Sequence, residues 1–240
     1  MTVVTRKAGP WTRRIARATL VAALLVLLAG PLMAWGLLGW QAGLGMFVMA
    51  AVLAGLGGLF CVIAIVRKRS SLGVVLGAAA GIAALVVPAA IVIDARAYPP
   101  INDITTDTAN PPVFAAITAE TRGPGAAPLL YDPAFAAVQS KAYPALAGIV
   151  LPAAPATVFD KAVATARAQG FDIVASDRAA GRIEATDTVP WWGFKDDVVI
   201  RLTQEGAGTR VDVRSKSRVG KGDLGVNAKR IDEFLAALKA

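Results

Sequence analysis

Residues 42–66, AGLGMFVMAAVLAGLGGLFCVIAIV, contain no charged side chain. As a helix this run is long enough to cross a hydrocarbon core about 30 Å thick. Two similar runs flank it: 15–37, IARATLVAALLVLLAGPLMAWGL, and 71–93, SLGVVLGAAAGIAALVVPAAIVI. In lipid a helix satisfies its own backbone polar groups, so three such runs predict a three-span membrane anchor over 15–93. The first run, with its basic flank, also resembles a secretory leader. Its length and the two spans after it predict that it is retained.

The distribution of charge supports this division. The chain carries a net charge of +8, with 25 Lys and Arg against 17 Asp and Glu. Eight of the basic residues and none of the acidic ones fall within 1–93, so 94–240 is neutral overall. A basic excess placed beside apolar runs argues against nucleic acid as a partner. Arg6, Lys7, Arg13, Arg14 and Arg17 precede or open the first span, and Arg67, Lys68 and Arg69 separate the second from the third. The turn between the first two spans has no cation. The positive-inside rule then predicts a cytoplasmic basic segment at 1–14 and a cytoplasmic 67–70 turn. The residues from Asp94 onward fall on the opposite side. In a bacterial cell this makes a multi-pass inner-membrane protein with a periplasmic C-terminal part. Trp35 and Trp40 fit the outer interface.

Gly73, Gly77 and Gly81 recur every fourth residue on the third span, and Ala50, Ala54 and Gly58 on the second. Small residues at this spacing let helices approach closely. The stripes serve packing among the three helices or, alternatively, association of copies.

The chain has no histidine and one cysteine, Cys61, inside the second run. The commonest general base and metal ligand is therefore missing, as are disulfide and CxxC chemistry. No cofactor or metal site is expected.

Residues 94–154 hold most of the prolines and read as an extended strap with apolar anchors such as Ile104, Phe114 and Tyr131. One short helix is expected near 133–141. From 155 the pattern becomes regular. Residues 156–169 have helical periodicity, with Gly170 as a stop. Strands follow at 171–176, 181–188, 194–204 and 209–217, and an amphipathic helix at 227–239, with Asn227 as its expected N-cap. The predicted soluble domain, 155–240, is α-β-β-β-β-α: a four-stranded antiparallel sheet with two helices on one face. The other face, bearing Arg182, Glu184, Thr186, Arg201, Asp212, Arg214 and Lys216, is expected to be polar.

Three motifs draw functional readings. RSKSRVGKGDLGVN (214–227) gathers Arg214, Lys216, Arg218 and Lys221 with glycines before a helix start. This is a candidate anion-binding loop for phosphate, carboxylate or anionic lipid, with Arg182 and Arg201 nearby on the sheet. Alternatively its cations pair with Asp196, Asp197, Asp212 and Asp223. DTVPWWGFKDD (187–197) places Trp191, Trp192 and Phe194 between two strands. These rings would stack on a sugar, enter a membrane interface or plug the end of the sheet. Asp187, Asp196 and Asp197 are the candidate carboxylates, but adjacent Asp196 and Asp197 should face opposite sides of a strand. NDITTDTANPPVF (102–114) supplies turn formers. No local pattern sets up a nucleophile with a base.

Together NDITTD…NPPVF, YDPAF, GRIEATDTVPWWGFKDDVVIR and VDVRSKSRVGKGDLGVNAKRI resemble the domain of unknown function 1499 (DUF1499) family over about residues 100–239. The resemblance implies no activity, catalytic residue or cofactor. The residues themselves suggest a membrane-anchored envelope module that binds or scaffolds. The alternatives are a hydrolase or transferase on lipid or cell-wall material, and a structural module docking on another envelope protein. The expected partners are the bilayer, an anionic lipid or envelope component, and another membrane protein.

Overall fold

The computed structural model describes residues 6–240, so the first five residues of the basic N-terminal segment lie outside the description. The chain divides into two compact units. One comprises residues up to Arg96 together with Trp191–Gly193, and the other Ala97–Pro190 with Phe194–Ala240.

The first unit holds β1 (Arg6–Lys7), α1 (Pro10–Ala34), α2 (Trp40–Val66), β2 (Arg69–Ser70) and α3 (Leu72–Ala95). All three helices are long and apolar enough to cross a membrane. Each packs against the other two. Leucines and valines such as Leu27, Leu56 and Val86 point outward, while the inner faces carry small residues. Gly58 and Gly81 show why: a Cβ on Gly81 would stand 2.6 Å from Gly58 Cα and 2.4 Å from the Ala54 carbonyl. Gly77 packs against Ala16 Cα and Cys61, whereas a Cβ on Gly73 would meet no atom of the described residues within 4 Å. The stripe is thus used for contact among these helices at its second and third positions. Cys61 of α2 is fully buried against Ala16 of α1 and Val74 and Ala78 of α3. The parallel pairing of β1 with β2, Arg6 with Arg69 and Lys7 with Ser70, brings the two basic flanks to one end of the helical unit.

The second unit contains β3 (Asp103–Thr105), α4 (Ala119–Arg122), α5 (Ala134–Ala142), β4 (Ile149–Leu151), α6 (Pro155–Ala168), β5 (Asp172–Asp177), β6 (Arg182–Thr188), β7 (Lys195–Glu205), β8 (Gly208–Ser217) and α7 (Val226–Lys239). Four expected strands are present as β5 to β8, but among the described residues the sheet has six strands rather than four. Its order is β3-β8-β7-β6-β5, and β4 also pairs with β8. The strap therefore contributes two strands of its own. β3 adds antiparallel to Arg214–Lys216 and β4 to Thr209–Val211. Because β7 occupies one side of β8 along its full length, both short strands share the other side.

One face of this sheet is apolar, as the alternation predicts. Ile183, Val198, Ile200, Val211 and Val213 meet Val158, Phe159 and Ala162 of α6 and Ile231, Phe234 and Leu238 of α7. Each large side chain fully buried here stabilises the fold by roughly 1.5–3 kcal/mol relative to exposure. Helix α7 begins one residue earlier than expected, and Asn227 is not its cap. Gly225 holds the N-cap position in a left-handed conformation at φ 78°. The free backbone N–H groups of Gly225 and Asn227 donate instead to the Asp223 carboxylate. A Cβ on Gly225 would also fall 2.4 Å from the Tyr98 ring, so only glycine fits this corner.

Candidate functional site

Strand alternation predicts that the second face of the sheet is polar. It is polar, and it is covered. The strap from Thr106 to Tyr131 crosses it, with Phe114, Ile117 and Leu129 packed on Val199. Glu184, Asp197, Asp212, Arg214 and Lys216 are all buried beneath it. A buried charge needs a partner and hydrogen bonds to offset its lost hydration. Each charge here finds them, mostly in residues far away in sequence.

Asp103 of β3 is the centre of one group. Its two carboxylate oxygens accept from Arg214 Nε and Nη2, both at 2.8 Å. Lys216 Nζ donates to the same carboxylate at 2.7 Å. Arg214 also donates to the carbonyls of Pro112 (3.2 Å) and Leu129 (2.7 Å). Its guanidinium lies against the rings of Phe114 and Tyr131. This geometry suits a planar fork between aromatic faces.

Asp197 is the centre of a second group. It accepts from Arg122 Nε of α4 at 2.7 Å, from Arg218 through two nitrogens, and from the Thr186 hydroxyl at 2.9 Å. Arg122 also donates to the carbonyls of Ala127 and Ser217, which fastens the strap to β8. Glu184 forms the third group. Both of its oxygens accept from the consecutive backbone N–H groups of Ala115, Ala116 and Ile117, at 2.8–3.0 Å. Arg182 pairs with it at 3.1 Å. A fourth group, nearer the surface, joins Arg201 to Asp107 and Asp212, with Arg210 also on Asp212. Burial works to raise the Asp212 carboxyl, but the hydrogen bonds and charges of Arg210 and Arg201 together outweigh it and hold the group low.

Of the candidate anion-binding cations, Arg182, Arg201, Arg214 and Arg218 are thus engaged by carboxylates of the same domain. Lys216 donates to Asp103, and Lys221 is exposed. Burial pulls the Lys216 ammonium below the ordinary lysine range, opposed by the attraction of Asp103.

The three candidate carboxylates separate as the strand geometry requires. Asp197 faces the strap. Asp196 faces α7, where Arg230 Nη2 donates to it at 2.7 Å. Asp187 is the cross-strand partner of Asp196, and Arg230 Nε donates to it, also at 2.7 Å. Arg230 therefore bridges a carboxylate pair, and its remaining nitrogen donates to Ser215 and Asn227. A shallow cleft of about 430 Å³ adjoins Asp187, Arg230, Lys229 and Phe171.

Trp191 and Trp192 belong with the helical unit. Their rings lie 6.1 and 5.1 Å from Phe47, edge to face, and 4.3 Å from each other. Phe194 precedes β7, and its carbonyl accepts from Val189 N–H at 2.7 Å.

The strap and the glycine-rich loop do enclose a space. A cleft of about 580 Å³ is lined by Pro128, Leu130 and Phe135 on its apolar side and by Asn102, Lys216 and Lys221 on its polar side. Tyr131 lines both this cleft and a second one of about 490 Å³ that reaches Arg214. The Tyr131 hydroxyl is buried and has no hydrogen-bond partner among the described residues. Burial, then the nearby Asp103 carboxylate, push it up to about 12. Asp103, Arg122, Glu184 and Arg230 escape a sequence reading as site residues. No spacing signal would find them, because each partner is supplied by the fold.

The family model described as "Protein of unknown function (DUF1499)" matches residues 103–238. No curated protein matches the chain.

Proposed function

The chain belongs to the DUF1499 family, and from that premise we propose that it is a membrane-tethered binding module. The three helices hold it in the bilayer. The paired basic flanks Arg6–Lys7 and Arg69–Ser70 favour the cytoplasmic side for that end, by the positive-inside rule. The family domain then stands on the far side, which in a bacterial inner membrane is the periplasm.

One observation carries the binding reading: the cleft of about 580 Å³ between the strap and the 216–221 loop, mostly apolar, with two lysines at its polar side. Small-molecule sites have this character. Hydrolysis or group transfer through Asp187, Asp196 or Asp197 is the weaker reading, because arginines engage all three carboxylates.

Two measurements test the proposal. Cys61 is the chain's single cysteine and is buried, so a cysteine introduced at exposed Lys141 reports sidedness cleanly. It should react with an impermeant maleimide in intact spheroplasts; reaction only after lysis overturns the orientation. Filling the cleft with Leu130→Trp should abolish co-purification of a small molecule with the full chain, detected by native mass spectrometry. An unchanged bound mass, or none in either protein, overturns the binding reading.

A further inference from the structure

The cleft against Lys216 has a chemical bias that narrows its ligand. Its charged lining residues are Lys216, Lys221 and Asp132, an excess of one positive charge. Asp132 already accepts the Ala134 N–H at the start of α5. Lys216 is almost fully buried and donates to Asp103, whereas an ammonium carries three donors. Arg214, by contrast, is engaged by Asp103 and two carbonyls, so the neighbouring cleft offers no comparable cation among the described residues. Lys221 stands exposed where the loop turns at Gly220, and the Gly220 carbonyl is fixed by Asn102 at 2.6 Å.

The rest of the lining is apolar. Leu130 is 85% exposed, on the ridge shared by the two clefts. A large aliphatic side chain this open, beside Pro128, Pro133 and Phe135, is a surface suited to hydrocarbon rather than to water. Tyr131 adds the second polar feature. Its side chain lines the same cleft as Lys216, and its buried hydroxyl has no partner among the described residues. A buried polar atom left unpaired in a native fold calls for an explanation.

We propose that this cleft binds an acidic amphiphile, its carboxylate or phosphate head on Lys216 and Lys221 and its hydrocarbon chain along Leu130 and Phe135. This rests on the binding reading above and adds the ligand class to it. Head and chain each contribute, so neither a neutral amphiphile nor a bare anion should suffice. The head charge can come from a fatty acid or from a phosphate monoester, and the test separates the two.

The full chain, held in nanodiscs of zwitterionic lipid to avoid competing micelles, is titrated with octanoate, octyl phosphate, octanol and inorganic phosphate, and binding is followed by calorimetry against empty nanodiscs. One or both acids should bind at least tenfold more tightly than octanol and than inorganic phosphate. Whichever acid binds more tightly identifies the head. Shortening octanoate to hexanoate should weaken binding by about tenfold if both removed methylenes are buried. Lys221→Ala, at an exposed position that leaves the buried pairs intact, should weaken acid binding severalfold and leave octanol unchanged. Lys216→Met should do so more strongly, and hydrogen exchange of β8 shows whether that variant is folded. Octanol binding as tightly as octanoate, or acid binding indifferent to both lysine variants, overturns the acidic-head assignment while leaving a binding cleft. Absence of binding by every probe, together with an unchanged co-purifying mass in Leu130→Trp, overturns the cleft reading itself.

Discussion

Asp103→Asn perturbs the buried charge groups where two cations depend on one carboxylate. The side chain keeps its shape but loses its charge. In the native protein the carboxylate, with no exposed surface, accepts hydrogen bonds at 2.8, 2.8 and 2.7 Å from Arg214 and Lys216. Those two cations stay buried on the same face of β8, and the asparagine can offer one acceptor where two anionic oxygens stood. Removing one partner of a buried pair costs about 3–5 kcal/mol, chiefly because the other charge is stranded. For a domain of this size that is a fall in midpoint of roughly 10 °C or more. The control is Asp107→Asn. Asp107 is partly exposed, and its partner Arg201 keeps Asp212 at 2.9 Å, so the cost should be about 1 kcal/mol or less. Replacing the whole set with Asp103→Leu, Arg214→Met and Lys216→Met should recover most of the loss. Hydrogen exchange of the β3 and β8 amides in the full chain measures this locally; tryptophan fluorescence does not, since all five tryptophans lie in the helical unit. A cost below about 1 kcal/mol for Asp103→Asn, or an equal cost for Asp107→Asn, would refute the claim that buried pairs hold the strap.

Other consequences are open to measurement. Tyr131→Phe removes a hydroxyl with no partner among the described residues, so stability at neutral pH should be unchanged or higher by up to about 1 kcal/mol. The same variant tests the alkaline limb. The native state keeps the phenol proton up to about 12, against 10.0 for an unperturbed tyrosine, so it binds more protons than the unfolded chain in that interval. Stability in the wild type therefore declines as pH rises from 10.0 toward about 12, and the Tyr131→Phe curve should decline less. Gly225→Ala forces a side chain into a left-handed corner against Tyr98 and should cost about 1–3 kcal/mol, read as a lower thermal midpoint. Gly81→Ile drives a branched side chain into Gly58 and the Ala54 carbonyl. It should part α2 from α3 and make Cys61 more reactive toward a membrane-permeant maleimide than the buried wild-type thiol.

The three apolar runs were legible by length and unbroken apolarity. Helices α6 and α7 and the long strands β6 to β8 were legible by period, because burial of one face imposes a repeat that a single segment displays; all fall within a few residues of their expected limits. β3 and β4 display none. Each is three residues long and sits among prolines, and each is a strand only because β8 offers a free side. The charges under the strap were hidden for a related reason. Thr186, Asp197 and Lys216 alternate along their strands as a solvated face would, and only a second layer distinguishes the two cases. Asp103 lies 113 residues from Lys216, a pairing that no local pattern announces.

The two borders of the six-stranded sheet differ in a way that bears on assembly. Beyond β8 the border is divided between two three-residue fragments, β3 and β4, which leave no continuous row of backbone donors and acceptors among the described residues. The opposite border is β5, whose register breaks between Ile173 and Ala175 and whose ends carry Asp172 and Asp177. Short, interrupted or charged borders resist strand-by-strand addition of another chain. Backbone pairing of a second copy or a foreign polypeptide along these borders is therefore disfavoured, and with it the fusion of neighbouring domains into a common β-ribbon.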